Sequence, residues 1–157
     1  FTDETGQTEL HIATNENNIV LVRELLSDDR DVNAQDHQGW TPLHISTTKK
    51  FNDITLLLLR QPQINTNIQS KGQTTPMIYA LRNSKDEDCE MIWEAFLQAG
   101  ADINSRGINE MTPLHEVITR PDGFRAARWL IAKGANVNAK SEIGDTPLHF
   151  AAVQNDK

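Results

Sequence analysis

A tetrapeptide of the form Thr-Pro-Leu-His recurs at nearly constant spacing, and this periodicity limits the fold more than any other feature of the chain. Complete copies begin at Thr41, Thr112 and Thr146, and related copies begin at Thr8 and Thr75. Successive threonines are 33, 34, 37 and 34 residues apart. Self-similarity at a fixed period of roughly 20 to 50 residues indicates a protein built from stacked structural repeats.

A second motif keeps step with the first. It consists of a polar residue, an aliphatic residue and an asparagine, and it occurs at positions 31–33, 63–65, 102–104 and 136–138. With both motifs in register at this period, the whole chain resembles the ankyrin-repeat family. The resemblance implies an all-α solenoid in which helix-turn-helix units are joined by β-hairpin or loop fingers.

A single domain over residues 1–157 is therefore expected. Its units fall at about 1–34, 35–67, 68–105 and 106–139, with a partial unit at 140–157. Because the chain begins on a finger and stops before the second helix of its last unit, we expect it to be a segment of a larger protein.

The tetrapeptide suits the start of a helix. Threonine is a favourable N-cap, and proline is tolerated at the first helical position, where its missing N–H costs nothing. In ankyrin repeats the histidine bonds to the threonine and to the backbone of a neighbouring unit. Residue by residue, the resemblance assigns this structural role to the pairs Thr8 and His11, Thr41 and His44, Thr112 and His115, and Thr146 and His149. Thr75 is followed by Ile78 instead, so the third unit is expected to be held less tightly.

Four irregularities are expected. The interval from Asn65 to Thr75 is 10 residues, against 8 in the other units, which predicts a longer third finger. Unit three carries an insertion around 83–89 and unit four a smaller one around 121–123, and both should lie on the same rim. Glu110 occupies the position of a finger glycine, so that finger is expected to turn at Gly107 or Asn109.

Composition excludes several classes of protein. The 157 residues carry a net charge of −7, which is unfavourable for direct binding of nucleic acid. No apolar run approaches the length of a membrane span, so no membrane insertion is expected. Cys89 is the only cysteine, and no Asn-x-Ser/Thr acceptor occurs. These features favour an intracellular location, in the cytoplasm or the nucleus.

Catalytic chemistry has little support. Four of the five histidines belong to the repeat motif and are spread along the stack, so they do not converge on a metal or a nucleophile. Acidic neighbours of Cys89 should raise its thiol pKa and reduce its reactivity. We expect no catalytic residue, metal or cofactor in this segment. The acidic run 86–90 is either a solvated insertion, the reading we favour, or a docking loop for a basic partner.

Candidate contact residues follow from the surface that ankyrin repeats use, which is the concave side formed by the fingers and the first helices. Trp40 and Met111 immediately precede a motif threonine, as does Asp145, and the alternative for Trp40 is that it covers the backbone of a neighbouring finger. Finger tips add His37, Gln38, Lys71, Ile108, Asn109, Glu142 and Ile143, and first helices add Lys49 and Arg82.

The leading hypothesis is therefore a protein-interaction module whose partner is another protein. One alternative is a regulatory or substrate-recruiting arm of a multidomain enzyme, such as a kinase, ubiquitin ligase or acyltransferase. Others are a segment of a longer cytoskeletal or channel solenoid, and an effector of an intracellular microbe.

Overall fold

The computed structural model describes residues 1–83 and 85–155 as short helices joined by loops. The α-helices in this part are α1 Glu9–Asn15, α2 Ile19–Ser27, α3 Pro42–Thr48, α4 Asn52–Leu59, α5 Pro76–Arg82, α6 Cys89–Gln98, α7 Pro113–Ile118, α8 Phe124–Ala132 and α9 Pro147–Asn155. The predicted all-α solenoid is confirmed. The fingers are loops across the described residues, where Thr2 and Thr8 form an isolated antiparallel bridge and no strand is present.

The helices form two layers. In the first layer α1, α3, α5, α7 and α9 pack in that order, and in the second layer α2 packs on α4 and α4 on α6. Helices of six to ten residues are marginal in isolation, so they depend on burying their apolar sides against each other. The largest fully buried apolar side chains are Leu43, Ile54, Leu58, Met77, Leu81, Trp93, Phe96, Leu114 and Leu130.

Two tryptophans pack in the second layer, as their helical spacing predicts. The ring centroids of Trp93 and Trp129 are 5.4 Å apart. Trp93 is fully buried, and its indole N–H donates to the carbonyl oxygen of Ala80 at 2.9 Å, which satisfies its one polar atom.

Second-layer helices end in two ways. Gly100 and Gly134 follow α6 and α8 with φ of 92° and 89°, in the left-handed conformation predicted for them. Asp29 takes the same conformation after α2, with φ of 53°. The exit of α4 differs, as the sequence Gln61-Pro62 predicts. The N–H of Gln61 donates to the carbonyl of Leu58, as that of Gly100 does to Leu97, but the φ of Gln61 is not positive.

This different exit moves the second motif by two residues. The side chain of Asn33 accepts from the N–H of Asn65 at 2.8 Å, and that of Asn67 accepts from the N–H of Asp102 at 2.8 Å. Asn104 continues the series by accepting from the N–H of Asn136 at 2.8 Å. Asn67, not Asn65, is therefore the structural equivalent of Asn33 and Asn104.

The prediction of a longer third finger is consequently wrong. Asn67 to Thr75 is 8 residues, the interval found in the other units, and the two additional residues lie in the exit of α4. The shift also places Thr66 in the buried position that Val32 fills in unit one. Thr66 is buried, and its hydroxyl has no hydrogen-bond partner.

Both predicted insertions lie on one rim. Residues 83 and 85–88 lie between α5 and α6, and residues 119–123 lie between α7 and α8. They meet where the ammonium of Lys85 lies 3.7 Å from a carboxylate oxygen of Asp122. Gly123 permits a close approach, because a Cβ there would lie 1.7 Å from the carbonyl oxygen of Val117. Insertions at this rim leave the opposite, finger-bearing side of the stack unchanged.

Replacing Thr66 by valine should raise the free energy of unfolding by about 1 kcal/mol, because it removes an unsatisfied buried hydroxyl while keeping the side chain's shape. The matched control is Thr55→Val, which removes a buried hydroxyl that donates to Ser46 at 2.9 Å and should lower that free energy. Urea unfolding followed by circular dichroism measures both. A loss of stability in Thr66→Val would contradict the corrected register.

Candidate partner-binding surface

The exposed side of the first helices and the fingers together form one side of the stack, here called the inner face. Two rows of side chains run along it, one position from each unit. The finger-base row, immediately before each motif threonine, is Gln7, Trp40, Thr74, Met111 and Asp145. The helix row, four residues after each threonine, is Ile12, Ile45, Tyr79, Glu116 and Phe150, of which Ile45 is buried.

Histidines of the repeat motif hold the finger-base row in place. The Nε2 of His11 lies 2.8 Å from the carbonyl oxygen of Trp40, and that of His44 lies 3.0 Å from the carbonyl oxygen of Thr74. His115 makes the corresponding contact with Asp145 at 3.0 Å. These hydrogen bonds cross from one unit to the next, so each histidine positions a candidate contact residue of its neighbour.

The hydrogen-bond partners fix the tautomer of these rings. The backbone N–H of Thr41 points at the Nδ1 of His44 at 3.1 Å, so that nitrogen must accept. The carbonyl of Thr74 can only accept, so Nε2 carries the proton. Burial is the main cause that lowers the pKa of His44 to about 4, and it also lowers the pKa values of His11 and His115. Neutral imidazole is therefore the form that braces the stack.

The junction between units three and four lacks this brace. Ile78 stands in the histidine position, and the carbonyl of Met111 accepts from the N–H of Gly107 within its own finger at 2.9 Å. Arg82 and Glu116 form an ion pair across the junction at 3.0 Å, with both side chains largely shielded from solvent. The carbonyls of Trp40, Thr74 and Asp145 accept the same bond within their own fingers and a histidine bond in addition, so Met111 lacks only the bond from the preceding unit.

Finger tips present the remaining candidates to solvent. The tips contact each other through backbone hydrogen bonds, with the N–H of Lys71 donating to Gln38 and that of Glu142 donating to Asn109. In unit four, Asn109 and Glu110 both have positive φ, 55° and 58°. The turn predicted at Asn109 is therefore present, Gly107 is extended, and Glu110 itself occupies the left-handed position. Exposed side chains at the tips are His37, Gln38, Lys71, Ile108, Asn109, Glu142 and Ile143.

An aromatic cluster lies where units two and three meet. The ring of Trp40 is 5.4 Å from that of Tyr79 and 6.0 Å from that of His44. Both Trp40 and Tyr79 are half-buried, and no hydrogen bond to the indole N–H or the phenol occurs in the described part of the chain. Tyr79 was not predicted as a contact residue from the sequence, although its place four residues after Thr75 was a usable signal.

The two first-helix cations have different surroundings. Arg82 stacks on Tyr79, with its guanidinium carbon 5.3 Å from the ring centroid, and is neutralised by Glu116. Lys49 is exposed and donates to the carbonyl of Asn15 at 3.2 Å. Arg82 therefore organises the inner face, whereas Lys49 leaves a positive charge on it.

The acidic run 86–90 makes ion pairs and hydrogen bonds with cationic side chains of the neighbouring units. Arg125 pairs with Glu90 at 2.8 Å and donates to the carbonyl oxygen of Asp86, while Lys50 pairs with the Asp86 carboxylate at 3.2 Å. This supports the solvated-insertion reading. Burial is the first cause that raises the pKa of the Cys89 thiol, and Glu90 and Asp86 add to it while Arg125 opposes it.

In residues 1–83 and 85–155, no group of three or more histidine, cysteine or carboxylate side chains could hold a metal ion. No helix in the same part of the chain is long and apolar enough to cross a bilayer. The motif histidines are one repeat apart along the stack and are engaged by backbone groups.

The chain belongs to the ankyrin-repeat family. A family profile described as "Ankyrin repeats (3 copies)" matches residues 10–106 and 77–157. Ankyrin repeats are non-catalytic modules for protein interaction.

Curated relatives share the repeats and extend well beyond them. The chain is 32% identical over 120 residues to a probable serine/threonine-protein kinase of Dictyostelium discoideum, covering 74% of this chain and 14% of the relative. It is 31% identical over 148 residues to human Rabankyrin-5, covering 93% and 12%. Human neurogenic locus notch homolog protein 1 is 30% identical over 150 residues, covering 96% and 6%. The chain thus spans about a seventh or less of these relatives.

Acidification should destabilise the stack. The pKa of His44 is near 4 in the folded chain and near 6.5 when unfolded, so the unfolded state binds more protons between these values. The free energy of unfolding should therefore be highest above pH 7 and should fall as the pH drops from about 6.5 towards 4. Protonation of His44 should account for a loss on the order of 2–3 kcal/mol. Urea unfolding at pH 7.5, 6 and 5 measures the slope.

The variant His44→Gln isolates this contribution. It should be less stable than the parent chain at pH 7.5, because the brace to Thr74 is lost, yet lose less stability on going to pH 5. Equal slopes for the two proteins would show that His44 does not drive the acid sensitivity.

Proposed function

We propose that this chain binds a partner protein through its inner face, with the Trp40–Tyr79 cluster as the centre of contact. The observation that carries the proposal is the pair of half-buried aromatic rings whose polar atoms have no partner in the described chain. Tryptophan and tyrosine with a free donor are the residue types that dominate binding energy in protein interfaces. Histidine braces hold the surrounding backbone, which lowers the entropy lost on binding.

Apolar side chains extend the proposed contact towards the last units. Ile108 and Ile143 are exposed at finger tips, by 50% and 78%, and Met111 is half-buried at the finger base. Exposed apolar side chains on loops that are otherwise polar favour a partner surface. Under this proposal Ile108 and Ile143 form the margin of the interface.

A regulatory or substrate-recruiting role within a larger enzyme is the second candidate. It is favoured by the similarity to a probable serine/threonine-protein kinase, of which the matching region is 14%. In that case the chain itself carries no chemistry, and its inner face brings a substrate or a regulator to an enzyme domain elsewhere. Besides a kinase, this second candidate includes a ubiquitin ligase, an acyltransferase and a microbial effector as the larger protein. We also propose that the chain is located in the cytoplasm or the nucleus.

Affinity capture with matched variants tests the proposal. Trp40→Ala and Tyr79→Ala each remove one ring of the cluster and should reduce recovery of specifically bound proteins at least tenfold, since a central aromatic contributes about 2 kcal/mol or more. Phe124→Ala is the control, because Phe124 is 73% exposed on α8, on the second layer. Quantitative mass spectrometry of proteins recovered from a cell extract provides the readout.

Folding of each variant is checked by circular dichroism and by its urea midpoint. Binding that survives both cluster substitutions in folded protein, or that depends on Phe124 instead, would assign the interaction to another surface.

A further inference from the structure

We infer that a groove on the outer side of the stack, between α4 and α6, binds an amphipathic helix of a partner protein that places apolar side chains in the groove and a carboxylate beside it. This contact is separate from the inner face and does not rest on the proposed function. It follows from the apolar lining of the groove, from the residues that other units carry at the same positions and from one unpaired cation.

The groove between α4 and α6, here called the outer groove, is open along one side and has a volume of about 400 Å³. Most of its lining is apolar and comprises Leu56, Leu59, Met91, Ala95 and Ala99. Met91 is 51% exposed, and Leu56 and Ala95 are half-buried. The outer groove is therefore an apolar surface that the stack itself leaves partly in contact with solvent.

Other units carry a charged residue at the position of Leu56. Arg23, Glu94 and Arg128 each lie six positions before the left-handed residue that follows their helix. Leu56 is the equivalent in unit two, because it lies 15 residues after its motif threonine, as Arg23 does in unit one. The fold thus accommodates a charged side chain at this position, and packing of the units does not by itself require a leucine.

Two alanines leave the groove open on the side of α6. By the same count, Ala95 and Ala99 correspond to Trp129 and Lys133 in unit four. Because alanine side chains end at Cβ, they leave room beside Leu56 that longer side chains would occupy. The resulting volume lies within the range of ligand-binding clefts, which is roughly 300–1,000 Å³.

One unpaired cation adjoins this apolar surface. The lining also includes Arg60 and Glu94, and Glu94 is paired with Lys133 at 2.8 Å. Arg60 is the exposed C-cap of α4, and no carboxylate in residues 1–83 or 85–155 forms an ion pair with it. Since guanidinium groups bind carboxylates through charge-assisted hydrogen bonds, the complementary ligand carries an acidic residue at this end of the groove.

A helix suits the outer groove better than an extended segment. The apolar lining comes from residues within α4 and α6 and from the C-cap Ala99, and the backbone groups of helices are bonded internally. An extended segment would find no row of backbone partners there, whereas a helix satisfies its own backbone and contributes only side chains.

The lengths of the two helices set the length of the ligand. With 8 and 10 residues, α4 and α6 form a groove about 12–15 Å long at about 1.5 Å per residue. Two to three turns of a partner helix fit this length, so its apolar residues should lie at positions i, i+3 or i+4, and i+7.

Other occupants fit less well. A small apolar molecule would remain exposed along the open side, whereas binding clefts cover roughly 70–90% of a ligand's surface. A second copy of the chain has the same net charge of −7, which opposes self-association. A partner protein can cover the open side with its own surface.

A phage-displayed library of sixteen-residue helical peptides, with random residues along one face, is the probe. It is selected in parallel against the unaltered chain and against two variants that block the groove. Leu56→Arg should fold, because arginine is at the equivalent position in units one and four. Ala99→Lys should also fold, because Lys133 has the equivalent place with φ of −87° against −82° for Ala99.

Charge complementarity is tested with a matched pair of variants. Arg60→Glu reverses the unpaired cation, and Arg23→Glu makes the same change in net charge at an exposed residue of α2. Synthetic copies of the selected peptides are measured by fluorescence anisotropy. Circular dichroism and urea midpoints confirm that each variant is folded, and light scattering gives the oligomeric state.

The selected peptides should carry two or three apolar residues on one helical face with an acidic residue beside them. Their affinity should fall at least tenfold for Leu56→Arg and Ala99→Lys. It should fall about threefold for Arg60→Glu and stay unchanged for Arg23→Glu. Replacing the acidic residue of the peptide by lysine should restore binding to Arg60→Glu, and Trp40→Ala should have no effect.

Several results would overturn the inference. Peptides that bind folded Leu56→Arg and Ala99→Lys as well as the unaltered chain would place the contact elsewhere. Peptides that tolerate a proline at their centre would not be bound as helices. Equal losses for Arg60→Glu and Arg23→Glu would remove the role of Arg60. An empty selection with a monomeric chain would show that the groove takes no helix, and one with a dimer that dissociates in Leu56→Arg would identify a second copy as the occupant.

Discussion

Hydrogen bonds from motif side chains to the next unit's backbone are the interaction on which this structure depends. Each helix within residues 1–83 and 85–155 has ten residues or fewer and gains little stability alone. Packing of apolar sides joins the units, but it does not by itself fix how one unit is oriented on the next. The bonds of His11, His44 and His115 on one side, and of Asn33, Asn67 and Asn104 on the other, impose that orientation.

The same bonds connect the fold to its surface. The acceptors of the histidine bonds are carbonyl groups of Trp40, Thr74 and Asp145, and all three belong to the finger-base row. The core therefore holds the backbone of the surface that we propose contacts a partner. Because the brace needs neutral imidazole, the rigidity of that surface and its sensitivity to acid have one physical origin.

Much of the fold could be predicted because its signals are local and repeated. The local signals are a capping threonine, a proline at the first helical position and a glycine after the helix, and each acts within a few residues. Because they recur in successive units, each unit supports the helix boundaries predicted for the others. The register at Asn65 and Asn67 could not be read in this way. Both are asparagines in a stretch with similar neighbours, and only the hydrogen bond to the next unit distinguishes them.

The candidate site was less predictable for a related reason. Trp40 stands out by its residue type, whereas Tyr79 becomes significant through its 5.4 Å contact with a ring 39 positions earlier. Lys49 and Arg82 look alike in sequence, and their difference arises from Glu116 in another unit. Contacts between units decide which side chains remain available, and one sequence does not record those contacts.

The unbraced junction beside Ile78 has a mechanical consequence. Ion pairs take the place of the histidine bond here, and those of Arg82 with Glu116 and of Arg125 with Glu90 cross from unit three to unit four. Salt screens ion pairs between partly exposed charges more than it weakens buried hydrogen bonds. If tension is applied along the stack, the force that separates units three and four should therefore fall as salt is raised, whereas the braced junctions should respond less.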